Sequence, residues 1–332
     1  MPVPRHSRRW WVYPAVLAAL LTTWAVLMTA GDHWGVWPEA WPAALTMAAG
    51  SFIAGSTPAG GGAVAFPVFT KALGIDAPVA RTFGLMIQGI GMTMAGIFII
   101  SRRIPVAWRA IRLGLAGGIP GVLIGVFGLV PPDPYPRLLF TVVAVVFAAA
   151  MGVSHWVLRW SPCPETAELP PDHGGHWHLI ALGVLGGYVS SLVGSGTDLL
   201  IFIGLTLAFG LHERHAIPTT VIIMAAVSVA GTIALLLRGD PTLAPAFPYW
   251  LVSVPVVACG APLGAWVASR THRDVIVGVL VLLIVLEAVT TTTLIGWSGS
   301  SLGLGCAVAL GSTVYFAWML HRRHAAFRRA RK

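Results

Sequence analysis

The stretch Gly55-Ser56-Thr57-Pro58-Ala59-Gly60-Gly61-Gly62 interrupts an apolar run, and a shorter echo, Gly194-Ser195-Gly196-Thr197-Asp198, interrupts another. Glycine and proline at this density break a helix. In the hydrocarbon of a bilayer the freed backbone groups need partners, so such backbone lies only where protein buries it or a polar site takes it up. Any fold of this chain must therefore enclose both breaks. They are expected to face each other near the membrane midplane, with helix N-termini aimed at an anion.

Composition places the chain in a bilayer. Of its 332 residues, 56% are hydrophobic and only 10% charged, and apolar runs long enough to span recur from end to end. A formal charge of +9 would suit nucleic acid, but the basic residues stand at the ends of apolar runs, where they set membrane topology. The expected partners are lipid and a small anion, with no nucleic acid. Cys163, Cys259 and Cys306 form no paired framework, and no helical spacing joins His155, His173, His176 and His178 into a metal site, so no metal or other cofactor is expected.

The N-terminal Arg5-His6-Ser7-Arg8-Arg9 precedes an apolar stretch without a small-residue cleavage site, which reads as an uncleaved first helix over 11–30. Residues 31–40 form a loop holding Asp32 and Glu39. Residues 41–55 and 59–73 are each about 15 residues, roughly 22 Å at the helical rise, which is short for a core of roughly 30 Å. They either re-enter or span thinly. Crossings follow at 80–101, 111–130 and 137–159, then a polar linker at 161–176 rich in proline and histidine. The pattern then repeats with a short pair at 177–193 and 197–211, crossings at 217–237, 246–269 and 275–296, and a last helix at 302–320 before a basic tail. The units are 1–40, a first repeat 41–159, a linker 160–176, a second repeat 177–296, and 297–332.

Sequence echoes accompany the repeated pattern. Gly74-Ile75-Asp76-Ala77-Pro78-Val79-Ala80 matches Gly210-Leu211-His212-Glu213-Arg214-His215-Ala216, Gly118-Ile119-Pro120 matches Gly260-Ala261-Pro262, and Arg137 matches Arg273. With the N-terminus inside, all 21 Lys and Arg except Lys71, Arg81, Arg137 and Arg238 fall on the cytoplasmic side. Both termini are then cytoplasmic, in the plasma (inner) membrane. An odd number of crossings separates equivalent points, so the repeats are inverted. The expected fold is an all-α polytopic membrane protein with two inverted-topology repeats, each opened by paired short or re-entrant helices at the midplane.

In the first break, free N–H groups near Gly60, Gly61 and Gly62 with the Ser56 and Thr57 hydroxyls make a donor-rich cup for an oxyanion. Small residues that merely let helices pack closely are the plainer alternative. The second break adds Ser191, Ser195 and Thr197 as donors beside Gly194 and Gly196, together with Asp198. That carboxylate either carries a coupling proton or caps the helix after it. Thr82 and Gln88 follow the first short pair, and Thr219 and Thr220 the second. The threonine hydroxyls have a structural alternative, a carbonyl one turn back. Arg81 is either a first contact for an anion or a topology determinant. Glu287 reads as a partner of Thr290 or Thr291.

The glycine-rich break, the Gly74 to Ala80 turn followed by Thr82, the Gly118-Ile119-Pro120-Gly121 helix start and the duplication together resemble the TauE/SafE sulfite exporter family over residues 42–293. The resemblance implies a polytopic inner-membrane transporter of sulfite, sulfoacetate or a similar small anion, working without ATP. It places a first-half site at Gly60-Gly61-Gly62 and Thr82, and a second at Gly194-Ser195-Gly196 with Thr219 and Thr220. Thr197-Asp198 departs from a plain glycine-rich second break.

The expected function is secondary transport of a small oxyanion, most simply export of sulfite or an organosulfonate by alternating access, with no chemistry done on the substrate. A passive channel constricted at the breaks is the alternative. An intramembrane enzyme would use Ser195 or Asp198, with Glu287 as the one acid able to pair with Asp198. A structural scaffold for another membrane complex is a further reading. Homo-oligomers are compatible with all of these.

Overall fold

In the computed structural model, residues 11–58, 60–128, 131–132, 135–157, 169, 176–294 and 299–330 are described, and all the regular elements among them are helical. The basic segment 5–9 and most of the 160–176 linker, with Cys163, lie outside them. The helices are α1 (Val12–Ala30), α2 (Trp37–Ser56), α3 (Gly62–Pro67), α4 (Ala77–Ser101), α5 (Trp108–Phe127), α6 (Tyr135–Gly152), α7 (His176–Val193), α8 (Thr197–Ile203), α9 (Glu213–Arg238), α10 (Leu243–Ala268), α11 (Arg273–Leu294) and α12 (Gly299–Ala330). Eight of them, α1, α4, α5, α7, α9, α10, α11 and α12, are long and apolar enough to cross a membrane. The protein is a polytopic all-α membrane protein.

Small residues decide which helices touch. Gly117, Gly121 and Gly125 recur every fourth residue on α5 and meet Gly183, Gly187 and Ser191 on α7. A side chain at Gly117 or Gly121 would run into the carbonyls of Ile180 and Val184, and one at Gly187 into that of Gly118. The same device joins α2 to α10, where Gly55 abuts Ala261 and Gly264 abuts Phe52. Between apolar helices in lipid, such stripes favour association because backbones approach closely and gain dispersion contact. Two long helices, α4 and α9, cross at the centre, and α4 is the most deeply buried of the spanning helices. Each also packs on the partner half's small-residue helix, α4 on α10 and α9 on α5. At the periphery, α1 lies antiparallel to α10, pinned by Tyr13 Oη to the Ala258 carbonyl (3.1 Å) and by Trp24 Nε1 to that of Leu251 (2.8 Å).

Each half contains one broken hairpin. After the break, α3 folds back along α2, and a Cβ on Gly61 would lie 3.4 Å from Ala54 Cβ and from the Gly50 carbonyl oxygen. Likewise α8 folds back along α7, so that Gly186 and the Thr197 backbone are in contact. Both returning arms are short α-helices that end in π turns, Val68–Ala72 and Gly204–Ala208. An arm of that size is roughly 17 Å long at the helical rise, about half of a crossing. Sequence lengths left re-entry and thin spanning open; the returning arms are half-length.

The turn that ends each arm is built twice. Leu73 N–H donates to the Val68 carbonyl and Ile75 N–H to Phe69, while Phe209 N–H donates to Gly204 and Leu211 N–H to Leu205. Gly74 (φ +64°) and Gly210 (φ +67°) supply the left-handed residue in each. Aromatic residues brace the arms: Phe69 stacks on Phe83 of α4 at 4.3 Å, and Phe202 meets Phe147 of α6 edge-on at 6.1 Å. Several boundaries differ from expectation. The first hairpin starts at Trp37, with Pro38 in its first turn where proline is tolerated and Pro42 inside the helix, and α12 continues through the basic tail to Ala330.

Candidate functional site

The two breaks meet. Thr57 leaves α2 in extended backbone (φ −137°, ψ 156°) and Gly60 turns the chain at φ +70°. A Cβ on Gly60 would stand 2.6 Å from Asp198 Oδ2 and 3.4 Å from Ser195 Cβ. Any L side chain there would be strained and would press on the carboxylate, so glycine is required twice over. The second break turns at Gly194 (φ +85°) and Gly196 (φ +138°). Gly194 sits against α4, its own Cβ position 3.1 Å from Gly84 Cα.

Local hydrogen bonds hold the second break. Ser190 Oγ accepts the Thr197 N–H (2.9 Å) and pairs with its Oγ1 (2.8 Å), clamping the last turn of α7 to the first of α8. Gln88 Nε2 donates to the Gly194 carbonyl (2.7 Å) from α4. A carbonyl can only accept, so this contact orients the amide and leaves Gln88 Oε1 as a buried acceptor without a partner. Leu199 N–H donates to Asp198 Oδ1 (3.0 Å). Asp198 Oδ2 and Ser195 Oγ have no hydrogen-bond partner, although Asp198 is 1% exposed and Ser195 fully enclosed. No described cation pairs with Asp198. Unpartnered polar atoms at such depth are costly and call for an explanation.

Asp198 is not the helix cap. Gly196 occupies that position, and Asp198 lies in the first turn of α8 with one oxygen on a backbone amide and the other directed at Gly60.

The remaining sequence-predicted residues are placed as follows. Ser56 and Thr57 both direct their hydroxyls to the Ile53 carbonyl (3.3 and 3.0 Å). Gly61 faces its own hairpin partner α2, and Gly62 opens α3. Ser191 donates to the Tyr188 carbonyl (2.6 Å) and lies against Gly125. Thr220 bonds the Ile217 carbonyl (3.0 Å) in its own helix. Thr219 accepts from the Ala107 N–H (2.9 Å), tying α9 to the loop before α5. Thr82 plays the matching part at the other end, sharing a hydrogen bond with Thr242 Oγ1 (2.6 Å) in the turn between α9 and α10. Thr82 and Thr219 are thus the ties between each central helix and the opposite half's loop, and their hydroxyls are taken there.

Arg81 stands beside Thr82 and pairs with Asp240 at 3.8 Å. Burial acts to raise the Asp240 pKa, but the Thr242 hydroxyl and amide, with the charges of Arg81 and Arg238, outweigh it and hold this carboxyl below the usual carboxylate range. Glu287 accepts from Thr291 Oγ1 (2.9 Å), and Lys71 Nζ reaches the same hydroxyl (3.4 Å). Glu287 is therefore engaged on α11. Sequence reasoning missed Ser190 and Gly84. Ser190 precedes the break like many helical serines, and Gly84 gains meaning only because Gly194 is packed on it.

No curated protein and no solved structure matches the chain. The profile described as Sulfite exporter TauE/SafE matches residues 42–291, which takes in both breaks and every helix from α2 to most of α11. With the fold and the matched span in agreement, the chain belongs to the sulfite exporter TauE/SafE family.

Proposed function

We propose that this protein is a secondary transporter that moves a small oxyanion, sulfite or an organosulfonate, out of the cell by alternating access, with its termini in the cytoplasm and the site where the two breaks meet. The observation that carries this reading is the contact of Gly60 with Asp198 and Ser195. Two interruptions that each cost helix stability converge at one buried spot lined with unpartnered polar atoms. The packing supports two exchangeable halves. First-hairpin helix α2 rests on α10 and second-hairpin helix α7 on α5, the pairing that an inverted duplication would generate. Rocking one half against the other would then expose the meeting point to each side in turn. Export of an anion from a cell that is negative inside runs downhill in the membrane field, so no ATP-driven step is required.

Engagement of Glu287 by Thr291 weighs against the enzyme reading, which needs a second acid beside Asp198. The test is flux of labelled sulfite from liposomes holding the purified protein, with sulfate and sulfoacetate as competitors. Saturable, selectively competed flux that shows counterflow is expected. Non-saturating flux without counterflow would turn the reading to a channel, and no flux of any of these anions would overturn it.

A further inference from the structure

The unpartnered atoms at the meeting point have a chemistry of their own. Asp198 Oδ2 and Gln88 Oε1 are acceptors, and Ser195 Oγ is the one hydroxyl among the three. The side-chain donors expected around an anion are largely spent, Gln88 Nε2 on Gly194, the Thr197 hydroxyl on Ser190, and the hydroxyls of Ser56, Thr57 and Thr220 on helix carbonyls, and the Thr197 amide is on Ser190 as well. A fully deprotonated oxyanion brings only further acceptors. Against a carboxylate that has backbone amides but no cation in contact it would be repelled, and inside a protein that repulsion is weakly screened.

Resting on the anion reading, we propose that the site takes its oxyanion together with one hydrogen held between ligand and Asp198, either as the acidic O–H of a monoprotonated oxyanion or as a proton on the Asp198 carboxyl. In both cases Asp198 Oδ2 and the ligand oxygen share a donor hydrogen, Ser195 Oγ–H donates to a second ligand oxygen, and Gln88 Oε1 is left to accept where the ligand carries an O–H. One proton is bound with each anion and leaves with it. No bond in the ligand is made or broken beyond that transfer.

The surroundings leave Asp198 as the group that answers to pH. On α7, which packs on α8, the titratable groups are His176, His178 and Tyr188; the histidines belong to the opening turn, and the Tyr188 ring faces Gly125 of α5. On α9 they are Glu213, Arg214 and His215 in the first turn and Arg238 at the last. Arg81 of α4 has its backbone against Gly194, but its guanidinium is on Asp240. Lys71, in the π turn after α3, reaches Thr291, and Arg109 and Arg112 of α5 lie in that helix's opening turns. None of these forms an ion pair or hydrogen bond with Asp198.

The experiment measures equilibrium binding of two probes to the purified full-length protein across pH. Sulfite can carry an acidic hydrogen near neutral pH, whereas methanesulfonate is a permanent anion without one. One proton bound with the anion weakens apparent affinity about tenfold per pH unit above the transition. A slope with sulfite and no measurable binding of methanesulfonate at any pH place the hydrogen on the ligand. Slopes with both probes, removed for methanesulfonate by Asp198→Asn, place it on Asp198. Either result supports the proposal. Measurable binding of methanesulfonate with a flat profile, whether or not sulfite shows a slope, overturns it while leaving the anion site standing. Binding of neither anion at any pH overturns the anion reading as well. Because the wild-type profiles alone decide between support and refutation, a variant that fails to fold does not rescue the idea.

Discussion

At Gly60 a single methyl group would stand 2.6 Å from Asp198 Oδ2, on backbone at φ +70°. Gly60→Ala is expected to cut sulfite flux at least tenfold and, through the left-handed conformation, to cost about 1–2 kcal/mol of stability. Its neighbour supplies the control. A Cβ on Gly61 meets Ala54 Cβ and the Gly50 carbonyl oxygen at 3.4 Å, an ordinary contact, so Gly61→Ala should keep most of the flux and Gly61→Leu should lose it by prying α3 from α2. Equal loss in both alanine variants would remove Gly60 from the site. Gln88→Leu leaves the Gly194 carbonyl without its donor, and a thermal-shift assay should read a loss of about 1–3 kcal/mol. At this scale the sequence marked Gly60, Gln88, Ser195 and Asp198 through their incongruity in apolar runs. It could not show that Thr82, Thr219 and Thr220 spend their hydroxyls elsewhere, because a hydroxyl's partner is chosen by what packs beside it.

Among the elements, the small-residue seams carry the association of the halves. Gly121→Leu would force α5 off the Val184 carbonyl of α7, and the expected outcome is protein that inserts but aggregates in mild detergent on a sizing column. Monodisperse variant protein with wild-type thermal stability would show that the seam is not essential. At the tip between α9 and α10, the Asp240 carboxyl is held below its ordinary range in the folded state. A depressed acid stabilises the fold above its unfolded pKa, and that contribution is lost as pH falls through the folded value. Wild-type stability should therefore decline below about pH 4 by more than that of Asp240→Asn, in which this component is absent at every pH. Identical acid profiles would show that Arg81 and Thr242 do not stabilise the charged form. The half-length of α3 and α8 was legible as shortness in the sequence, but their reversal onto α2 and α7 was not. Reversal depends on Gly50, Gly61 and Gly186 offering space to a returning helix, which is a property of pairs.

For the whole molecule, the charge distribution predicts a direction in the membrane. In a cysteine-free background, Gly239→Cys at the α9–α10 tip should react with an impermeant thiol reagent from outside intact cells, and Arg103→Cys beyond α4 only after the membrane is opened. The reverse pattern would invert the topology and with it the sense of export. The sequence by itself determined that the chain is a polytopic helical membrane protein, because twenty-residue apolar runs and basic run ends answer to the bilayer alone. It also determined where helices must break, since glycine and proline act on their own backbone. Only the tertiary structure decided that the breaks meet, that Gly60 faces Asp198, and that the atoms left without partners there are mostly acceptors. Those facts arise from residues far apart in the chain competing for the same donors, and the competition is resolved only when the helices are packed.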